Sequence, residues 1–295
     1  MAPSGPDRQP QEDPGVTSTR ERQRAAARAR LEKEMAERAA RARKRRQTQA
    51  IVGASLALLL VVAGTIWLAT SLGGDDDTTG TDAAAPGMSQ CAYVEIPSDQ
   101  RIKEIKDVGL PANQQSNTGT QTMTIDTNLG QITAHIDRSE VPCTAGSFTH
   151  LAEKNFFDNT KCHRLVTEGI KVLQCGDPSA TGKGWRETDG TGGPSYRMAE
   201  ENLPTDKRPP YPEGVIAMAN SGQPGSTGSQ FFIVYGDSPL DPNYTVLGTI
   251  TGGLDIVKDV AKAGDDGAFA QQAGGGHPKK EIVINKLTMS APQGG

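Results

Sequence analysis

The stretch that most limits what this chain can become is residues 214–248, GVIAMANSGQPGSTGSQFFIVYGDSPLDPNYTVLG. It reads as three short apolar strands, 215–219, 230–234 and 245–247. The loop between the first two, 220–229, is almost wholly Gly, Ser, Pro, Thr, Asn and Gln. Small residues of this kind let one backbone approach another closely and tolerate positive φ. Period-two alternation then puts Phe231 and Phe232 on opposite faces of a sheet. One ring is expected in a core and the other along a surface groove, which suits a protein that grips extended peptide.

The rest of the second half has the same short-strand character. After Thr122 the alternation MTIDTNLGQITAHI marks a hairpin turning at 128–130. VPCT at 141–144 opens a helix to about residue 154, with Ala145, Phe148 and Leu151 spaced to face a core. Short strands follow at 162–166 and 170–175. Residues 177–212 form a long Gly/Pro/charged excursion, and loops of that length inside a compact domain usually carry function. A second helix is expected at 254–261 and a closing strand at 281–289. Many short strands with only two helices mean a mainly β antiparallel barrel or sandwich.

The ordered blocks CHR, LQCGD, GTGG and MANSG…GSQFFI resemble the cyclophilin family of peptidyl-prolyl cis–trans isomerases over residues 121–289. The resemblance implies a closed eight-stranded antiparallel β-barrel with a helix at each open end, as a domain over 121–290 with a short tail at 291–295. It also implies catalysis without covalent chemistry. Rotation about an X–Pro bond must overcome amide resonance worth about 18–20 kcal/mol. A cation donating toward the proline nitrogen, in a shielded groove, lowers that barrier.

Residue by residue, Arg164 matches the family's catalytic arginine, and Gln174 the glutamine that orients it. Asn220 offers backbone hydrogen bonds to an extended peptide, with Ala219 leaving room beside it, and Gln230 is expected to be similarly placed toward the substrate. Phe232 matches the floor of the proline pocket. Leu240 and Leu247 are expected to complete its wall, with Val172 beside them and Tyr244 at the border. Met218 is expected in the core. His163 is read as structural, pointing away from the arginine's face, with no Ser/Asp pair to make a triad.

Three departures stand out. The Arg164–Gln174 spacing is two residues longer than usual, and Lys171 and Val172 replace an aromatic and a methionine. Pro239, before Leu240, aligns with the tryptophan that contacts cyclosporin in the family. Losing that indole predicts weak binding of the drug.

The first third of the chain is different. Residues 1–50 hold 13 of the 31 lysines and arginines but only 7 of the 35 acids, and read as a basic, disordered-to-helical tail. Residues 51–72 are uncharged and mostly apolar. As a helix they would reach about 33 Å, enough to cross a hydrocarbon core of about 30 Å. The arginine cluster Arg41–Arg46 before this run and Asp75–Asp77 after it place the N-terminus in the cytoplasm and everything else outside. A cleaved signal peptide is the competing reading, disfavoured by position and length. Residues 73–120 are read as a linker plus a segment from Cys91 onward that packs on the body.

All four cysteines, Cys91, Cys143, Cys162 and Cys175, lie on the outer side of this arrangement. Two disulfides are expected. A helix running out and a loop running back favour Cys143–Cys162, leaving Cys91–Cys175; buried free thiols and a zinc site are the alternatives. No metal, nucleotide or nucleic acid is implied as cofactor or partner. The chain therefore reads as a single-pass, membrane-anchored isomerase for proline-containing extracytoplasmic polypeptides, or as a proline-peptide binding chaperone with little turnover.

Overall fold

The computed structural model describes residues 84–294. The expected tail, membrane span and most of the spacer lie outside the described residues. Among those described, no helix is long and apolar enough to cross a membrane.

The local expectations translate directly into elements. Strands β1 (Met88–Gln90), β2 (Tyr93–Glu95), β3 (Ile105–Lys106) and β4 (Gln114–Ser116) precede the hairpin of β5 (Thr120–Thr127) and β6 (Gly130–Asp137). Met123 and Ile125 on one arm of the hairpin and Ile132, Ala134 and Ile136 on the other are buried, with more exposed residues between them. This is the period-two pattern of a sheet covered on one face. The turn is closed by the Thr127 hydroxyl, which donates to Gly130 O (2.6 Å) and accepts from Leu129 N (3.1 Å).

Helix α1 (Pro142–Glu153) follows, with Pro142 in its first turn, where the missing N–H costs nothing. Its own N-cap supplies no side-chain acceptor. The carboxylate of Glu201, 57 residues on, accepts from Thr144 N (2.5 Å) and Cys143 N (3.4 Å) instead. Phe148, on the buried face, lies against Phe157 and Phe231 with ring centroids 5.3 and 5.8 Å apart.

Next come β7 (Thr160–Lys161), β8 (Arg164–Val166), β9 (Val172–Cys175), β10 (Gly193–Pro194), β11 (Tyr196–Met198), β12 (Val215–Met218), β13 (Phe231–Val234) and β14 (Val246–Gly252). Helix α2 (Leu254–Ala263) and strand β15 (Val283–Met289) close the chain. Helix α2 starts at Gly253, whose φ is +81°, and a Cβ there would overlap the carbonyl oxygen of Gln131. Only glycine fits both conditions.

The main sheet has nine strands in the order β7-β15-β5-β6-β14-β12-β13-β9-β8. A closed eight-stranded barrel was expected. The sheet instead ends in two edges, β7 and β8, that are not paired with each other. Only Cys162 and His163 separate those edges in sequence, so the sheet must curl until its ends are neighbours. The outer edge of β8 is partly covered: Leu165 and Gly276 exchange backbone hydrogen bonds of 2.8 and 3.0 Å. Partial covering of this kind blunts an edge that could pair with another chain.

Residues 84–120 join this body. β1 pairs with β4, β2 with β11 and β3 with β10. The Tyr93 hydroxyl donates to Cys143 O (2.7 Å), and its ring meets Tyr196 edge-on at 5.5 Å. Cys91 pins the segment, as expected, but to a different partner. The bridges are Cys91–Cys143 and Cys162–Cys175. The expected Cys143–Cys162 bridge assumed that the loop after α1 brings the chain back to the helix start. The chain passes into β7 and β8 instead. Pairing of β8 with β9 then sets Cys162 and Cys175 at a Cα–Cα distance of 4.0 Å.

The curled sheet has two apolar clusters. The larger, inside, includes Met123, Ile136, Phe148, Leu165, Met218, Phe231 and Leu247. The smaller gathers Val166, Val172, Val215, Ala217, Phe232, Val234 and Val246 on the opposite face of β8, β9, β12, β13 and β14, with Tyr211 from the 177–212 excursion packed among them. The two phenylalanines are therefore divided between faces as the alternation requires.

Candidate functional site

Register builds the site. Phe232 on β13 pairs with Gln174 on β9, and Gln174 pairs with Arg164 on β8. Three residues from three strands thus form one cross-strand row, with side chains on the same outer face. Behind Phe232 the row continues through Ala217 and Val246.

The row borders a cavity of about 530 Å³ lined by Arg164, Val172, Gln174, Ala219, Asn220, Phe232, Leu240 and Tyr244, among others. Eight of the ten expected site residues therefore meet at one concavity. Two do not. Leu247 packs inside the sheet, because its neighbour Val246 is the β14 residue that pairs with Ala217 and so takes the outer face. Gln230 lines an adjoining cavity rather than this one. The two extra residues between Arg164 and Gln174 do no harm to their pairing, since the hairpin loop lies beyond the Val166–Val172 pair.

One end of the slot is apolar and rigid. Tyr244 meets Phe232 edge-on at 5.4 Å, and Tyr211 meets both rings at about 6 Å. The Tyr211 hydroxyl donates to Tyr244 O (2.9 Å) and accepts from Tyr244 N (2.8 Å). Such two-sided use of one hydroxyl holds the backbone of Tyr244 against the pocket. Tyr211 lies fully buried in the 177–212 excursion, and no sequence pattern marked it beyond an aromatic set among prolines.

The other end is cationic. Arg164 Nη1 donates to Gln174 Oε1 (3.0 Å), Nε donates to Gly274 O (3.0 Å), and Nη2 donates to Ala273 O. All three acceptors are neutral, and no carboxylate pairs with the guanidinium among the described residues. Burial lowers its pKa and the Tyr244 phenol raises it, but a guanidinium stays charged. Two of its five N–H groups remain free to donate. The loop supplying Ala273 and Gly274 escaped the sequence reading. Its signal is the AGGGH run: Gly275 has φ +71°, and a Cβ there would overlap Leu165 O.

Gln174 is itself held. Its Nε2 donates to Gln230 Oε1 (2.9 Å), and Gln230 Nε2 donates to Gly190 O (2.8 Å) and Gly192 O (2.9 Å). The N–H groups of the same two glycines donate to buried Asp177 Oδ2 (2.5 and 3.2 Å). A chain of hydrogen bonds thus runs from Asp177 through Gln230 and Gln174 to Arg164. Gln230 spends both donors inside the protein, so it positions Gln174 rather than reaching outward. His163 is buried and, contrary to the expectation that it points away, borders the same cavity as Arg164; neither ring nitrogen has a hydrogen-bond partner among the described residues.

A slot with an aromatic floor and a guanidinium whose charge no carboxylate pairs among the described residues can bind a proline ring and polarise its imide. The family model of the cyclophilin type peptidyl-prolyl cis-trans isomerases matches residues 122–289.

The chain belongs to the cyclophilin family. The match runs from β5 to the end of β15 and leaves the cyclophilin's first four strands outside it. This cyclophilin is 44% identical over 182 residues to the probable peptidyl-prolyl cis-trans isomerase B of Mycobacterium leprae, covering 58% of this chain and 57% of the relative. It is 39% identical over 215 residues to the probable isomerase B of Mycobacterium tuberculosis, covering 68% of this chain and 64% of that one. The chain therefore spans between 57% and 64% of the length of these two relatives. A solved cyclophilin type isomerase from Cryptosporidium parvum aligns at 26% identity and a TM-score of 0.48, over 58% of this chain and 98% of that one.

Proposed function

We propose that this cyclophilin is a peptidyl-prolyl cis–trans isomerase acting on extended, proline-containing polypeptides. The observation that carries the reading is the Phe232–Gln174–Arg164 row beside its cavity, with a guanidinium that pairs with no carboxylate among the described residues. The proline ring would rest on Phe232 and Tyr244. The preceding residue's backbone would lie along Ala219 and Asn220, and a free Arg164 N–H would donate to the imide nitrogen as it becomes pyramidal. That contact exists only near the transition state, so it accelerates rotation instead of merely tightening binding. Each tenfold acceleration requires about 1.4 kcal/mol of such selective stabilisation.

The proposal extends to location. The apolar run at 51–72, with its basic cluster on the N-terminal side, supports a single-pass anchor with the cyclophilin domain outside the cytoplasm. Two disulfides in a chain with no free cysteine support the same oxidising compartment. An anchor raises the local concentration of the enzyme near polypeptides emerging from secretion. Pro239 in place of an indole supports weak binding of cyclosporin.

A chymotrypsin-coupled assay on an Ala-Pro-Phe peptide, wild type against Arg164→Ala, tests the activity. Equal rates for the two would leave a proline-peptide binding module. Protease accessibility of the domain in intact cells tests the orientation.

A further inference from the structure

A second cavity of about 330 Å³ adjoins the proline slot and shares Gln174, Ala219 and Asn220 with it. Its remaining wall is small and polar, with Ser221 and Ser226, and it holds one cation, Arg197 on β11. Arg197 Nη1 uses both its N–H groups, on Pro194 O (3.1 Å) and Tyr196 O (2.9 Å). The other three N–H groups, on Nε and Nη2, have no partner among the described residues. Of these, the Nε–H and one Nη2–H lie side by side along one edge of the guanidinium, the geometry that grips a carboxylate with two parallel bonds.

Among the described residues no carboxylate forms an ion pair with Arg197. The acids nearest in sequence are engaged elsewhere: Glu200 accepts from Gly225 N and Thr227 Oγ1, and Glu201 caps α1. Arg197 is also half-buried, so its charge is partly stripped of water. Space is kept around it by two glycines, Gly193 and Gly228. A Cβ on either would stand 3.3 Å from Nη1.

We propose that Arg197 reads an acidic side chain of the substrate, an Asp or Glu close to the isomerised proline. This rests on the isomerase reading of the slot. Because the two cavities share the Gln174 and Ala219–Asn220 walls, a peptide with its proline on Phe232 passes the mouth of the second. Successive residues of an extended chain advance about 3.3 Å, so a neighbouring side chain reaches the guanidinium and its serines.

The test uses peptide pairs identical except for Glu or Gln at one of the three positions on either side of the proline, followed by NMR exchange. At one position wild type should turn over the Glu peptide with a kcat/KM about tenfold above that of the Gln peptide, and salt should erode the preference. Arg197→Gln should bring the ratio to about one, and Arg197→Glu should favour a Lys peptide instead. No position with a preference in wild type, or a preference that survives Arg197→Gln, overturns the proposal. Acceleration of the Gln peptide reports on the isomerase reading separately. If no peptide is accelerated, dissociation constants of the Glu and Gln peptides decide the Arg197 assignment by the same ratio. If Arg197→Gln does not fold, Arg197→Lys and the wild-type salt series decide it: a preference unchanged by both overturns it.

Discussion

Arg164 and Gln174 stand directly opposite each other on β8 and β9, and Arg164 Nη1 donates to Gln174 Oε1 across 3.0 Å. With Ala273 and Gly274 accepting from the other two nitrogens, the guanidinium is clamped on three sides and keeps its free N–H groups for the slot. Arg164→Ala should lower kcat/KM by about 100-fold, the usual loss when one preorganised donor is removed. Arg164→Lys should lose nearly as much, because an ammonium cannot hold three fixed bonds and still present a fourth. Circular dichroism should show both variants folded.

The chain of hydrogen bonds behind that pair predicts coupling. Gln230→Leu removes the acceptor that holds Gln174 and should cost about tenfold in kcat/KM. If Gln230 acts only through Gln174, the Gln174→Leu/Gln230→Leu double variant should be no worse than Gln174→Leu alone. Additive losses would show that Gln230 touches substrate itself.

The two disulfides should differ in what they protect. Cys91–Cys143 closes a loop of 52 residues and Cys162–Cys175 one of 13. Loop entropy assigns them about 4 and about 3 kcal/mol of stability. Replacing Cys91 and Cys143 by serine should lower the urea midpoint yet leave activity within about twofold, since that bridge holds the N-terminal segment to α1. Replacing Cys162 and Cys175 should lower activity as well, because the bridge ends two residues before Arg164 and next to Gln174.

His163 gives the fold an acid-sensitive point. Burial pushes its imidazole down to about 4; Asp177 and Asp189 oppose this, and Arg164 and His277 add to it. The unfolded chain, titrating near 6.5, binds the proton more tightly than the folded one between about pH 4 and 6.5. Stability from the neutral ring is therefore complete above about pH 6.5 and is lost as pH falls toward 4. Urea unfolding should show roughly 3 kcal/mol of this loss between pH 7 and 4. His163→Met should flatten that slope relative to wild type.

Much of the fold was legible because it is local. Alternation in β5 and β6, the Val-Pro-Cys-Thr start of α1 and the division of Phe231 from Phe232 follow from periods of two and 3.6 along the chain. Arg164, Gln174 and Phe232 were legible as members of ordered blocks. What the sequence by itself determined is which residues lie on the same face of each element. Tertiary structure alone decided which faces meet: that Gln174 stands between Arg164 and Phe232, that Cys143 finds Cys91, that Val246 rather than Leu247 faces outward, and that an AGGGH loop 109 residues away accepts from the arginine. Those outcomes depend on strand register and on close backbone approach between distant segments. Both are settled by the summed burial of the whole sheet, which no single stretch of residues carries.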